Sequence, residues 1–172
     1  MVAYKSVENI RDLLKAGADK ISINTAGILN EKLIFDSAQK FGSQCIVAAV
    51  DAKKQDHDWI VFSHGGTKNT GINALEWIKK LQKLGAGEIL LTSMDKDGTK
   101  NGFDLDLLKM ASEILNIPLI ASGGAGKLQH FKEGVIFGGA NALLAASIFH
   151  FAEFSISEVK EYLKKENINI RL

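Results

Sequence analysis

The sequence predicts an α/β fold built on a parallel sheet, and three observations lead there. Short apolar runs alternate along the chain with stretches of helical periodicity. The runs are nearly continuous, as strands buried on both faces are, instead of alternating apolar with polar. Each also stops abruptly at a polar or glycine cluster. Ile89, Leu90 and Leu91 end at Thr92, Ser93, Asp95, Asp97, Gly98 and Thr99. The run IVAAV ends at Asp51, and LIA ends at SGGAG (residues 122–126). In open α/β sheets ligands bind outside the carboxyl ends of the strands, so these clusters are the first place to look for chemistry.

The elements follow in order. Residues 6–16 read as a helix, with Ser6 able to cap it and Val7, Ile10, Leu13 and Leu14 on one face. A strand is expected over 20–24, a helix over 31–41 and a strand over 45–50. Residues 59–63 read as one strand of a small hairpin in the long loop after Asp51. A helix over 74–84 leads to a strand over 88–92. Next come a helix over 104–115, a strand over 118–121, a helix over 128–137 and a strand over 142–145. A short helical turn opens at Ile148, and a final helix covers 157–165, capped by Ser155 or Ser157. Such repetition predicts parallel strands joined by right-handed crossovers. No linker or low-complexity stretch interrupts it, so residues 1–172 are expected to form a single domain.

Composition narrows the class. A chain of 172 residues, 46% hydrophobic and 24% charged with a net charge of +1, is that of an ordinary globular protein. The near-neutral balance argues against nucleic acid or a membrane surface as the main partner. No apolar run approaches the ~20 residues of a membrane helix, and the first residues do not form a signal peptide. The lone Cys45 reads as a buried structural thiol and fits a reducing cytoplasm. No Cys/His spacing suggests a metal site, and no cofactor is implied. His57, His64, His130 and His150 show no triad spacing and read as surface or loop residues, while Trp77 reads as packing.

One internal repeat stands out. GADKISIN (17–24) aligns with GANALLAA (139–146), each a Gly-Ala turn feeding an apolar strand. In that register Gly123-Gly124 falls opposite Met1-Val2. The first copy's glycine turn is therefore expected at or before residue 1, and the chain is expected to begin part-way through a larger repeat.

Several residues could carry chemistry. Ser122-Gly123-Gly124-Ala125-Gly126 lies between a strand and a helix, where backbone N–H groups can cradle an anion. Ala146-Ser147 ends the next strand and opens a helical turn. Such paired elements after successive strands form the usual phosphate site of a (βα)8 barrel; the plainer alternative is a set of tight turns. Asp51, at a strand end among apolar neighbours, is the best general-acid candidate, with a cap or an ion pair to Lys53 as its alternative. Asp95 is the second acid, and Asp97 reads as fixing the loop. Gly98 and Thr99 could bind a phosphate or hydroxyl, and Asn24 and Thr25 could hydrogen-bond the ligand. Lys20 and Glu88 open their strands at the opposite face. There they read as turn residues or a stabilising pair, costly if buried without a role.

The segments GADKISINTA, FGSQCIVAAVDAK, GTKNTG, GAGEILLTSMDKDGTKNGFD, IASGGAG and ALLAASIFHF carry a resemblance. From about Ser6 to Leu172 the chain resembles the cyclase subunit of imidazole glycerol phosphate synthase. The sister isomerase of histidine biosynthesis shares the DGT and glycine-turn elements but not FGSQCIVAAVDAK. The resemblance implies a (βα)8 barrel of TIM type that receives ammonia from a glutaminase docked at its N-terminal face. Its substrate carries a phosphate at each end, and the products are imidazole glycerol phosphate and an aminoimidazole carboxamide nucleotide. By motif, Asp51 matches the general acid, while Asp95, Gly98 and Thr99 lie in the matching substrate loop. Ser122, Gly123, Gly124, Ala146 and Ser147 match one phosphate site, Asn24 and Thr25 part of the other, and Lys20 and Glu88 half of a charged ammonia gate.

One departure accompanies the match. The family pattern begins with three further βα units, including the aspartate base at the end of the first strand, and MVAYK stands where a glycine-rich turn is expected. About five parallel strands, an incomplete barrel, are therefore predicted, with an unpaired edge. Two alternatives remain open: a related barrel channelling ammonia to sugar amidation in surface-glycan synthesis, and a non-catalytic half-barrel that binds phosphates or docks a glutaminase.

Overall fold

The computed structural model describes residues 6–171. Among them seven strands form one sheet: β1 (Ile21–Ile23), β2 (Ile46–Gln55), β3 (Asp58–Ser63), β4 (Lys68–Asn73), β5 (Glu88–Ser93), β6 (Leu119–Ser122) and β7 (Ala142–Leu144). Five of these, in the order β1-β2-β5-β6-β7, are parallel, as the alternation of strands and helices predicts. The other two, β3 and β4, form an antiparallel hairpin on the C-terminal half of β2. The repeat partner Met1-Val2 and the MVAYK segment lie outside the described residues.

Helices connect the strands: α1 (Val7–Lys15), α2 (Thr25–Leu29), α3 (Glu31–Phe41), α4 (Ala74–Lys83), α5 (Leu105–Ile114), α6 (Leu128–Ile136), α7 (Ser147–His150) and α8 (Ile156–Lys165). Local chemistry sets most boundaries. Ser6, Asn73, Asp104 and Ser155 each cap a helix by accepting from a first-turn N–H, and Ser155 with Glu158 completes a capping box. Most ends agree with the apolar periodicity to within a residue or two.

Three features differ from the sequence expectation. The strand expected to stop at Val50 continues to Gln55, because β3 supplies an antiparallel partner from Asp51 onward. Residues 68–73, KNTGIN, are polar and carry Gly71 at φ 72°, so they show no strand periodicity; pairing with β3 makes them a strand. The five-residue α2 follows β1 immediately, without a side-chain cap to announce it.

The sheet sorts its side chains by parity. Ile21, Ile23, Ile46, Ala48, Val50, Ile89, Leu91, Leu119 and Ala121 are buried. They form one core with Ile34, Ile78, Leu81, Leu107 and Phe131 from the helices. The alternate positions Ser22, Ala49, Asp51, Glu88, Leu90, Thr92, Ile120 and Ser122 occupy the other face and none of them is fully buried, whereas Val47 on that face is covered.

Asp104 joins three of these elements. Its Oδ1 accepts from Leu107 N at the start of α5 (3.2 Å). Its Oδ2 accepts from Trp59 Nε1 of the hairpin (3.0 Å) and from Ser93 Oγ at the end of β5 (3.0 Å). Trp59 is almost fully buried, so its indole N–H has little recourse to water. Asp104→Ala is expected to cost about 2–4 kcal/mol in urea unfolding, combining a lost cap with two orphaned donors. Asp104→Asn, which can still cap, should cost less. A loss for Asp104→Ala of under ~0.5 kcal/mol, the level of a neutral surface change, would refute this role.

Candidate active site

The parallel register builds a row of side chains. Asp51 pairs with Thr92, Thr92 with Ser122, and Ser122 with Leu144. All four are at or near the C-terminal end of the parallel pairing, beyond which β2 continues only with the hairpin, and they share the face turned away from the helices. With strands about 4.8 Å apart, Asp51 and Ser122 are roughly 10 Å from one another along this row.

Asp51 is only partly exposed, and burial pushes its carboxyl above the ordinary carboxylate value. The hydrogen bond from Asn24 opposes that shift, and the negative charge of Asp97 adds to it. Asn24 Nδ2 donates to Asp51 Oδ2 at 2.9 Å. The other amide atom, Asn24 Oδ1, is buried with no hydrogen-bond partner among the described residues. Next to it, Thr25 Oγ1 accepts from His64 N at 2.8 Å, anchoring the tip of the β3–β4 hairpin to the end of β1. Asn24 and Thr25 thus stand beside the acid, one touching it and the other holding the hairpin over the strand ends.

A cavity of about 130 Å³ opens at the far end of the row. Gly98, Ser122, Gly123, Gly124, Ala146 and Ser147 line it, together with Asp97, Lys100 and Leu144. Gly123 and Gly124 have φ of 92° and 104°, which L side chains rarely adopt. A methyl group on Gly124 would collide with the Gly102 carbonyl, and Gly102 N donates back to Gly124 O at 2.8 Å. The loop is therefore pressed against the β5–α5 connection. His130, a half-buried residue of α6 and not a surface one, holds it from behind, its Nδ1 accepting from Gly126 N at 3.1 Å. The N–H groups of Gly124, Ala125 and Ser147 have no hydrogen-bond partner among the described residues, so an anion entering the cavity meets donors already available.

Other candidates lie apart from this cavity. Asp95 is exposed, and its Oδ2 accepts from Lys54 N at 2.7 Å, stitching the β5 loop to the hairpin. Thr99 is folded into its own turn, donating to Lys96 O (2.7 Å) and accepting from Asn101 N (3.2 Å). Lys20 and Glu88 form an ion pair at the opposite end of the same sheet face. Glu88 pairs with Val47, four residues below Asp51, hence about 13 Å from the acid along the strand. The Lys20 side chain is 48% exposed, so this pair does not bear the cost of full burial. Cys45 is half-buried, not buried, with its thiol directed to the Phe41 carbonyl. No cluster of potential metal ligands occurs among the described residues. No described helix is long and apolar enough to cross a membrane.

The sequence marks Thr92 only as a strand end and reads Asp97 as fixing the loop, and it gives Lys100 no role, yet Asp97 and Lys100 line the cavity. Thr92 was legible from parity, since Glu88, Leu90 and Thr92 share a face while Ser93 points to the core. Asp97 and Lys100 sit in a loop without periodicity, where only the fold decides which side chain faces the cavity.

A sequence model of the histidine biosynthesis protein family matches residues 4–155. The chain belongs to that family. Its members are barrel enzymes of histidine biosynthesis, isomerases and cyclases, and the parallel units described above are of that barrel type.

Two outcomes test this geometry. Because the folded-state pKa of Asp51 lies above the ordinary 3.8, the folded chain holds that proton more tightly than the unfolded one. Its contribution to stability is therefore complete below the ordinary value and declines as pH rises toward the folded-state value. Asp51→Asn should raise the melting temperature relative to wild type at pH 7, with the difference shrinking toward pH 4. A constant difference across that range would contradict the burial of the charge. Gly124→Ala should lower stability by about 1–3 kcal/mol in urea, from positive-φ strain and the clash with Gly102. An unchanged midpoint would show that the loop is not pressed where the structure puts it.

Proposed function

We propose that the chain acts as the cyclase subunit of an imidazole glycerol phosphate synthase. The observation that carries this reading is the single row joining Asp51, with its raised proton affinity, to a glycine-lined cavity roughly 10 Å away. That span suits a sugar phosphate whose reacting nitrogen lies over the acid while its phosphate occupies the cavity. The FGSQCIVAAVDAK segment, which sets the cyclase apart from its sister isomerase, runs through the end of α3 and β2 and delivers Asp51.

The mechanism follows from the environment of each group. A carboxyl whose burial favours the protonated form can give its proton to a nitrogen as that nitrogen leaves or as the ring closes. Asn24 holds the carboxyl in orientation, and the Gly124, Ala125 and Ser147 N–H groups fix the substrate's phosphate. A general acid on one side of the substrate calls for a complementary base on the other. Asn24 and Thr25 serve the substrate's second phosphate.

Ammonia reaches the site from a glutaminase docked on the N-terminal face. Lys20 and Glu88 mark that entrance, and because the pair is partly solvated, opening it costs little. Asp51→Asn should reduce ammonia-dependent formation of imidazole glycerol phosphate by about 10²–10⁴-fold, the range for loss of a general acid. Turnover of the phosphoribulosyl formimino nucleotide that is unchanged in this variant, or isomerase activity without ammonia consumption, would refute the proposal.

A further inference from the structure

The glycine-lined cavity has two charged residues in its wall, Asp97 and Lys100, and they cancel. Asp97 is an obstacle to a phosphate dianion, so the side chain that tips the balance is Lys100. Its ammonium group, however, is engaged elsewhere: Lys100 Nζ forms an ion pair with Glu153. We propose that Lys100 is the cation of this phosphate site and that Glu153 competes for it, so that the Lys100–Glu153 pair opens as a phosphate dianion enters. This rests on the phosphate reading of the cavity given above.

The placement of the two residues supports an exchange of partners. Lys100 is on the β5–α5 loop at φ 57°, and a methyl group on Gly126 would collide with its backbone. Its main chain is thus wedged against the glycine turn, leaving the four-carbon stem free to swing. Glu153 follows α7, the helix opened by the cavity residue Ser147, and its N–H donates to Ile148 O at 2.9 Å. The pair therefore ties Lys100, in the cavity wall, to the segment that follows α7, just outside the lining. Its side chains are 42% and 36% exposed, which places it among ion pairs of small net worth. A dianion offers the ammonium more charge, and it also satisfies the free N–H groups of Gly124, Ala125 and Ser147. Glu153 then turns to solvent. The free site consequently keeps its cation oriented at the rim, and Glu153 sets how strongly an anion must bind to claim it.

The discriminating experiment is titration of the 172-residue chain with inorganic phosphate, by calorimetry and by amide shifts of Gly123, Gly124 and Ser147. Glu153→Gln should tighten phosphate binding by about two- to fivefold, and Lys100→Gln should weaken it by a similar factor, the worth of an exposed ion pair. The exchanged double variant Lys100→Glu with Glu153→Lys should keep the wild-type melting temperature yet bind phosphate more weakly than wild type. A purely structural pair would predict no gain from Glu153→Gln. Phosphate binding that shifts those amides but is unchanged or weaker in Glu153→Gln would overturn the competition while leaving the phosphate site in place. Absence of binding in all variants, or binding without those shifts, would overturn both.

Discussion

The feature on which the rest depends is the register of the parallel strands. The side-chain period of a strand is two, so slipping β2 by one residue against β5 would send Asp51 into the helix-facing core and bring Val50 to the open face. Nothing local to Asp51 prevents this. What prevents it is the set of buried residues on the opposite face: Ala48, Val50, Ile89, Leu91, Leu119 and Ala121 have to meet the helices together. The hydrophobic core thereby fixes the position of a carboxylate it never touches, and fixes Thr92 and Ser122 beside it.

The same face then carries different chemistry at its two ends. At the N-terminal end the side chains are Lys20 and Glu88, oppositely charged and mutually satisfied. At the C-terminal end they are an acid that burial keeps from ionising easily and a glycine-rich loop whose Gly124 and Ala125 N–H groups have no partner among the described residues. Those donors survive because the glycine loop satisfies itself in a different way, through packing and one backbone bond to Gly102. Asp104 reinforces the arrangement from beneath, binding the hairpin, β5 and α5 through a single carboxylate. The tightness of the loop and its suitability for an anion are one property. A glycine turn that packs this closely has no room for side chains that would cover its N–H groups.

Much of this was legible in the sequence, for reasons that can be named. Continuous apolar runs ending at Asp51, Thr92 and Ser122 mark parallel strands, and the serine, aspartate and asparagine caps mark helix starts. These signals are local, and the structure agrees with them. The strand KNTGIN was not legible, since its conformation comes from pairing with β3. Nor was the division of labour among the loop acids. The sequence reads Asp95 as the second acid and Asp97 as fixing the loop, yet Asp95 is tied to the Lys54 backbone and Asp97 lines the cavity near Asp51. His130 read as a surface residue because a histidine on an amphipathic helix carries no mark of the loop packed above it. In each case the missing information was a long-range contact.

The central claim is that acid and anion cavity serve one ligand at the C-terminal ends of the strands. The most direct test is a crystal structure of the Asp51→Asn variant with the proposed substrate, the bisphosphorylated formimino nucleotide. The account predicts one phosphate within hydrogen-bond distance of the Gly124 and Ser147 N–H groups, with the substrate's central nitrogens over residue 51. A ligand seated on the helix-facing side, at the Lys20–Glu88 end, or in the cavity but turned away from residue 51, would contradict it.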